Sequence, residues 1–138
     1  MSEVKTYFAK DVDIAIGNHM ASGLGEDTFV SIEKSGDGTS KVVGCDGEVG
    51  RSIDPDRSYT VTLTLLQTSK TNAYLQNMYN KDQKTGDGVA ALLIKDKKGG
   101  LVLSSNSAWV AKPATRTFAK ALSAREWTLE TGEADLNE

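Results

Sequence analysis

Seven consecutive residues, Tyr59-Thr60-Val61-Thr62-Leu63-Thr64-Leu65, alternate without a break between large apolar side chains and threonine. A helical period of 3.6 would scatter the apolar set around the axis, whereas a strand's period of two places all of it on one face. One face of this strand is therefore core. The threonine face is polar yet β-favourable, as befits a strand that borders water. A slip of one residue would turn every side chain to the wrong face, so the register is strongly specified.

Other segments repeat the pattern. Val12, Ile14 and Ile16 share one face of residues 11–16. Residues 28–33 lead through Ser35-Gly36-Asp37-Gly38-Thr39 to Lys41-Val42-Val43, which predicts a hairpin turning at Asp-Gly. Residues 89–94 are apolar on both faces and, with 101–110, predict a second hairpin across Lys95-Asp96-Lys97-Lys98-Gly99-Gly100. Pro113 marks a break or an edge. In the last strand, 125–130, Trp127 and Leu129 point inward, while Glu126, Thr128 and Glu130 point out. One stretch departs from the period of two. Tyr74, Leu75, Met78 and Tyr79 make a helical stripe behind a candidate cap at Thr68 or Ser69, predicting a helix of about three turns over 69–80. The stripe's spacing suits burial better than a ligand platform. The sum is one domain over 1–138, mostly β. Its seven or eight antiparallel strands form a β-sandwich or partly open barrel with one flanking α-helix. Residues 131–138 are expected to be a loose acidic tail.

The residues that usually carry chemistry are scarce. Cys45 is the only cysteine and His19 the only histidine among 138 residues, which removes internal disulfides, most zinc sites and most nucleophile–histidine pairs. His19 reads as a surface or loop histidine, and Cys45 as a small turn residue. Neither Gly36-Asp37-Gly38 nor Asp54-Pro55-Asp56 has the spacing of a calcium loop, and Gly86-Asp87-Gly88 lacks the Lys-Ser/Thr of a phosphate loop. Along a strand rising about 3.3 Å per residue, Glu126 and Glu130 stand roughly 13 Å apart, too far to share a bond. These residues imply no enzyme, no cofactor and no metal. No apolar run approaches the roughly 20 residues of a membrane helix, and the mixed N-terminus does not read as a secretory signal.

Charge is segregated along the chain. Residues 1–58 carry a net of −5, residues 59–123 carry +6 and residues 124–138 carry −4. Such clustering is either chance on a solvated surface or the mark of opposite faces that meet between copies, head to tail. The cations of 95–120 lack the dense basic face and stacking aromatics of a specific nucleic-acid site.

Several blocks, in order, carry a family resemblance: Gly47-Glu48-Val49-Gly50-Arg51-Ser52; Asp56-Arg57-Ser58, running through the alternating strand to Thr68-Ser69; Ile94-Lys95-Asp96; Ala108-Trp109-Val110-Ala111-Lys112-Pro113; and Arg125-Glu126-Trp127-Thr128-Leu129-Glu130. In these blocks the chain resembles tail tube proteins of contractile-tailed bacteriophages, over most of its length. The resemblance implies six copies in a ring, and rings stacked into a hollow tube in a virion tail assembled in the host bacterial cytoplasm. The implied partners are the chain itself, a tail sheath protein, a tape-measure protein, a baseplate hub and a tail terminator. Genome DNA would pass through the lumen without specific binding, and no membrane is implied for the subunit.

Three expectations follow for this chain. Residues 44–57 form a long inter-ring loop, with Asp46, Glu48, Arg51, Asp54, Asp56 and Arg57 as contact candidates. Thr60, Thr62, Thr64, Glu126, Thr128 and Glu130 line the lumen, unless that face turns outward to the sheath. The helix offers Lys70, Asn77 and Lys81 to the sheath. Two alternatives stay open: the inner tube of a related contractile injection device without DNA, such as a bacteriocin or secretion-system tube, and a monomeric β-barrel that binds a small ligand.

Overall fold

The computed structural model describes residues 3–137, the Leu101 side chain excepted. A 3-10 turn (Ala9–Asp11) precedes β1 (Val12–Ile16), β2 (His19–Met20), β3 (Val30–Lys34), β4 (Thr39–Val43) and β5 (Val49–Ile53). Then come β6 (Tyr59–Leu66), α1 (Thr71–Thr85), β7 (Ala90–Asp96), β8 (Gly100–Lys112), β9 (Ala124–Thr131) and β10 (Ala134–Leu136). The main sheet runs β2-β1-β7-β8-β9-β6-β3, with β10 on β8 beside the end of β9, and every pairing is antiparallel. Strands β4 and β5 form a separate two-stranded ribbon.

The alternating segment does what its pattern dictates. Val61, Leu63 and Leu65 of β6 are buried, and β9 sets Leu129 and Trp127 opposite Val61 and Leu63. Ile14 and Ile16 of β1, Leu92 and Ile94 of β7, Leu103 and Val110 of β8 and Leu75 of α1 complete one apolar core. The sheet thus buries a single face, and the helix packs with that face. Edges β2 and β3 do not pair with each other. Residues 23–29 instead run beside β6: Gly25 N–H donates to Thr64 O at 2.9 Å, Leu66 N–H to Gly23 O at 2.7 Å and Thr64 N–H to Phe29 O at 2.9 Å. The result is mostly antiparallel β with one helix, a barrel left partly open.

Helix α1 is longer than its apolar stripe, because nothing after Tyr79 breaks a helix until Gly86. There a left-handed φ of 75° and an N–H bond to Asp82 O at 2.9 Å end it. At its start, Ser69 Oγ accepts the Thr71 N–H at 3.2 Å, a capping contact just before the helical residues. Leu75 is fully buried while Tyr74, Met78 and Tyr79 are half-buried. Three contacts fasten the helix. The Trp127 indole N–H donates to Asn72 Oδ1 at 2.9 Å. The His19 ring stacks on Tyr74 with centroids 4.5 Å apart, and His19 Nε2 lies 2.8 Å from Thr71 Oγ1. His19 is thus a packing residue in β2, not the loop or surface histidine its isolation suggested.

Three expectations about connections fail. Residues 28–43 do not fold back on themselves: β3 pairs with β6 and β4 with β5. Asp37-Gly38 does not turn the chain around. With Gly38 at a φ of 83° it passes the strand from sheet to ribbon, where Asp54 N–H donates to Gly38 O at 2.7 Å. Residues 44–57 are accordingly no loop, since Val49–Ile53 is a strand. Finally, Ala134–Leu136 pairs with Leu103–Ser105 of β8, so this part of the tail is a strand and not loose; Glu138 lies outside the described residues. The errors share a cause: β4, β5 and β10 are short and show no apolar alternation, so pairing with a distant partner, which their own pattern does not specify, is what makes and places them.

Candidate assembly interface

Strands β3 and β6 leave the sheet side by side and continue as one long hairpin. Their ladder ends at Lys34 opposite Tyr59, Ser35 N–H bonds Ser58 O at 3.1 Å, and pairing resumes at Thr39 opposite Ile53. The ribbon ends in a tight tip, where Gly44 N–H donates to Glu48 O at 2.7 Å and Asp46 Oδ1 accepts the Glu48 N–H at 3.1 Å. Every residue of β4 and β5 is exposed, including Val42 (73%), Val43, Val49 and Ile53 (69%). Val43 faces Val49 and Lys41 faces Arg51 across the ladder. Two cations directly opposite each other repel, and exposed valines gain nothing from folding, so neither feature stabilises the isolated subunit.

The six contact candidates of this region divide into two sets. Asp46, Glu48 and Arg51 sit on the projecting ribbon, and none of their side chains joins an ion pair among the described residues. Asp54, Asp56 and Arg57 are engaged within the subunit. Asp54 accepts the N–H groups of Asp37 and Asp56, and Asp56 Oδ1 accepts the Ser58 hydroxyl at 2.6 Å and the Ser58 N–H at 2.9 Å. Those two Ser58 bonds, aided by the charge of Lys34, hold the Asp56 carboxyl below its ordinary range. Arg57 bridges Glu133 and Asp135, both at 2.7 Å. These three residues stiffen the hinge and are spoken for.

The six lumen candidates fall on one surface. Thr60 lies opposite Glu130, Thr62 opposite Thr128 and Thr64 opposite Glu126, all on the outward face of β6 and β9. The row widens to Glu33 of β3, beside Thr60, and on β8 to Trp109, beside Glu130, and to Lys112, beside Thr128. This face is hydroxyl-rich and acidic. On α1, Asn77 and Lys81 are exposed one turn apart, and the exposed Lys70 lies two turns before Asn77 on the same side.

In the connection from β8 to β9, residues 113–123, the sequence drew notice to the cations and not to the apolar side chains. Phe118 is 79% exposed and Leu122 is also exposed, in a stretch with no periodicity to mark them. A signal was present: no acid occurs from Lys97 through Arg125. Among the described residues, no cluster of His, Cys, Asp and Glu could hold a metal ion, and no helix is long and apolar enough to cross a membrane.

A subunit with a fully exposed ribbon that carries valines and with a polar sheet face invites comparison with proteins that assemble. The family model of the bacteriophage PhiTE tail tube protein matches residues 5–137. The chain belongs to that tail tube family. It is 31% identical over 133 residues to structural protein ORF10 of Pseudomonas phage KPP10, covering 90% of this chain and 76% of the relative. The family consists of structural phage proteins, not enzymes. Three solved structures share the fold. A chain from the virion of a native gene transfer agent matches with a TM-score of 0.64 at 12% identity, over 96% of this chain and all of that one. A sheath/tube terminator of the extracellular contractile injection system PVC matches with a TM-score of 0.62 at 14% identity, over 99% of this chain and all of that one. The tube-terminating cap of an anti-feeding prophage gives 0.57 at 13% identity, over 99% and 94%. This tail tube family member is therefore a structural component of a phage tail, and it shares its fold with chains from a gene transfer agent and from contractile injection devices.

Proposed function

We propose that this chain is the repeating subunit of a contractile phage tail tube, six copies closing a ring and rings stacking around a lumen that conducts DNA. The observation that carries this reading is the β4–β5 ribbon, which exposes Val42, Val43, Val49 and Ile53 and contributes nothing to its own core. Val43, Val49 and Ile53 fall on one face of the ribbon and Val42 on the other, and a projecting arm that keeps apolar side chains in water on both faces fits a surface that a partner covers. The open edges of β2 and β3 support ring closure, because unpaired edges template strand pairing between copies. The Thr60, Thr62, Thr64, Glu126, Thr128 and Glu130 face suits a lumen: carboxylates and hydroxyls repel or ignore phosphate, so DNA slides without sticking. The helix face with Lys70, Asn77 and Lys81 is left for the tail sheath protein. A tape-measure protein would fill the lumen during assembly in the host cytoplasm, and a baseplate hub and a tail terminator would cap the ends.

Negative-stain microscopy of the purified protein tests the reading. The wild type forms rings or tubes, and the double reversal Glu48→Lys with Arg51→Glu forms short tubes or none. Persistent wild-type monomers, or normal tubes from the double reversal, would overturn it.

A further inference from the structure

We infer that the ribbon tip of one copy docks on the 113–123 segment of a second copy, a carboxylate-bearing tip against a cationic, apolar acceptor. This inference rests on the tube reading and adds the receiving surface to it. Both partners are incomplete alone. The tip presents Asp46 and Glu48 beside exposed Val43 and Val49. The acceptor presents Phe118 and Leu122 amid Lys112, Arg116 and Lys120, with Arg125 buried beneath Phe118, and none of these four cations joins an ion pair among the described residues.

Beneath Phe118, Arg125 is a buried cation that no carboxylate pairs with among the described residues. It is only 3% exposed, and its guanidinium donates to the Ser123 hydroxyl at 2.9 Å and to Ala124 O at 3.4 Å and lies 5.4 Å from the centre of the Phe118 ring. An arginine cannot shed its proton to escape burial, so a nearby carboxylate would offset part of the desolvation cost. Phe118 lies on that guanidinium with most of its own ring in water, which marks the spot where an apolar tip would seat.

Topology places the two surfaces for stacking. In the β6–β9 pair, Tyr59 and Thr60 stand at the end that feeds the ribbon, and Leu66 opposite Ala124 stands at the end that receives the 113–123 segment. The tip and the acceptor therefore leave opposite ends of the same eight-residue strand. Five ladder pairs carry the tip roughly 17 Å beyond the hinge. Copies stacked with the same polarity bring the tip of one towards the acceptor of the next. Such a contact is head to tail and does not close on itself, which is the geometry of a growing stack.

Cys45 lies exposed at the tip and is the only cysteine, so it is a native crosslinking handle. Lys120→Cys, assembled and treated with a short bis-maleimide, should yield a ladder of covalent multimers. The wild type and the Lys120→Cys, Cys45→Ser variant should yield none above background. Tubes that form without the ladder overturn the acceptor while leaving the tube reading intact; a wild type that never polymerises overturns both. A charge exchange decides the matter if Lys120→Cys does not assemble. Asp46→Lys with Glu48→Lys loses tubes, and adding Lys112→Glu with Lys120→Glu restores them. Failure of that restoration overturns the pairing.

Discussion

Asn72 is the side chain on which the helix–sheet junction turns, and its removal should cost far more than one amide. Its Oδ1 accepts the indole N–H of Trp127, and its Nδ2 donates to Leu66 O at 2.9 Å and Gln67 O at 3.4 Å. Trp127 is fully buried, so Asn72→Ala leaves an indole N–H in the core with no acceptor. That penalty is about 1–3 kcal/mol, and the two lost carbonyl bonds add about 1 kcal/mol. The expected loss is thus about 2–4 kcal/mol. A chain of 138 residues has an unfolding entropy near 0.29 kcal/mol/K, so each kcal/mol moves Tm by about 3–4 °C and the variant should melt roughly 7–14 °C lower.

Differential scanning calorimetry on subunits held below the assembly concentration measures this directly. Asn72→Asp provides the control. It keeps an acceptor for the indole but turns a second oxygen towards two carbonyls. At neutral pH it should therefore melt below Asn72→Ala. The native environment disfavours the charged form, so its folded pKa lies above the unfolded one. The penalty is then largest above both values and shrinks as the pH falls through the folded pKa and the carboxyl gains a proton. An Asn72→Ala variant within about 2 °C of wild type would refute the reasoning, because it would mean that the indole finds another partner at no cost.

Two further outcomes concern the chain's turns. Gly23 has a φ of 63°, and a Cβ there would lie 2.6 Å from the Ser69 Cβ; nothing approaches a Cβ at Gly50 within 4 Å, and its φ is ordinary. Gly23→Ala should lower stability by more than about 2 kcal/mol, from left-handed strain plus displacement of the residue that opens α1. Gly50→Ala should melt within about 2 °C of wild type, and calorimetry that found the opposite order would contradict the geometry. In the hinge, Ser58→Ala removes the hydroxyl donor to Asp56, so the Asp56 carboxyl should titrate closer to its ordinary 3.8 than in the wild type, as read by carboxyl carbon shifts. A depressed folded pKa stabilises the hinge above the unfolded value and loses that contribution as pH falls through the folded one. An unchanged midpoint in Ser58→Ala would show that the hydroxyl bond is not its cause.

The sequence made the buried half of this molecule legible and left the projecting half obscure, for a physical reason. Core strands announce themselves because water penalises the wrong face: Val61, Leu63, Leu65, Trp127 and Leu129 lie where alternation put them. The outward set of Thr60, Thr62, Thr64, Glu126, Thr128 and Glu130 was legible by the same token, as the complement of a known face. Strands β4 and β5 have no buried face, so Gly44 to Arg57 read as a loop and Asp37-Gly38 as a reversal. Only the register of β3 with β6 shows that one hairpin runs through both. Arg125 was hidden differently. Its position in the β9 alternation is inward, but charge argued for solvent, and the ring of Phe118 seven residues earlier accommodates it. Arg57 belonged to the contact candidates by its place in sequence, while Glu133 and Asp135, more than 75 residues on, claim it within the subunit.

The division of the long hairpin into an anchored half and a projecting half separates the residues that hold the fold from those left free to meet a partner. A lone two-stranded ribbon is marginal in water, and this one adds repulsion between Lys41 and Arg51. Its inner neighbour is the opposite case: β6 sits between β3 and β9 with its apolar face in the core, so it is held whatever the ribbon does. The hinge lies between them, and its bonds come from Asp54, Asp56 and Ser58 instead of a continuous ladder. Local side-chain bonds of this kind fix a direction without extending the cooperative core, so the ribbon can be aimed while its stability stays low. Low stability is then useful. On the proposed docking, the ribbon would gain apolar burial and charged partners only on a second copy, and assembly would be the step that orders it. On that docking, the exposed valines that would be a liability in a finished monomer would favour the assembled tube over the free subunit.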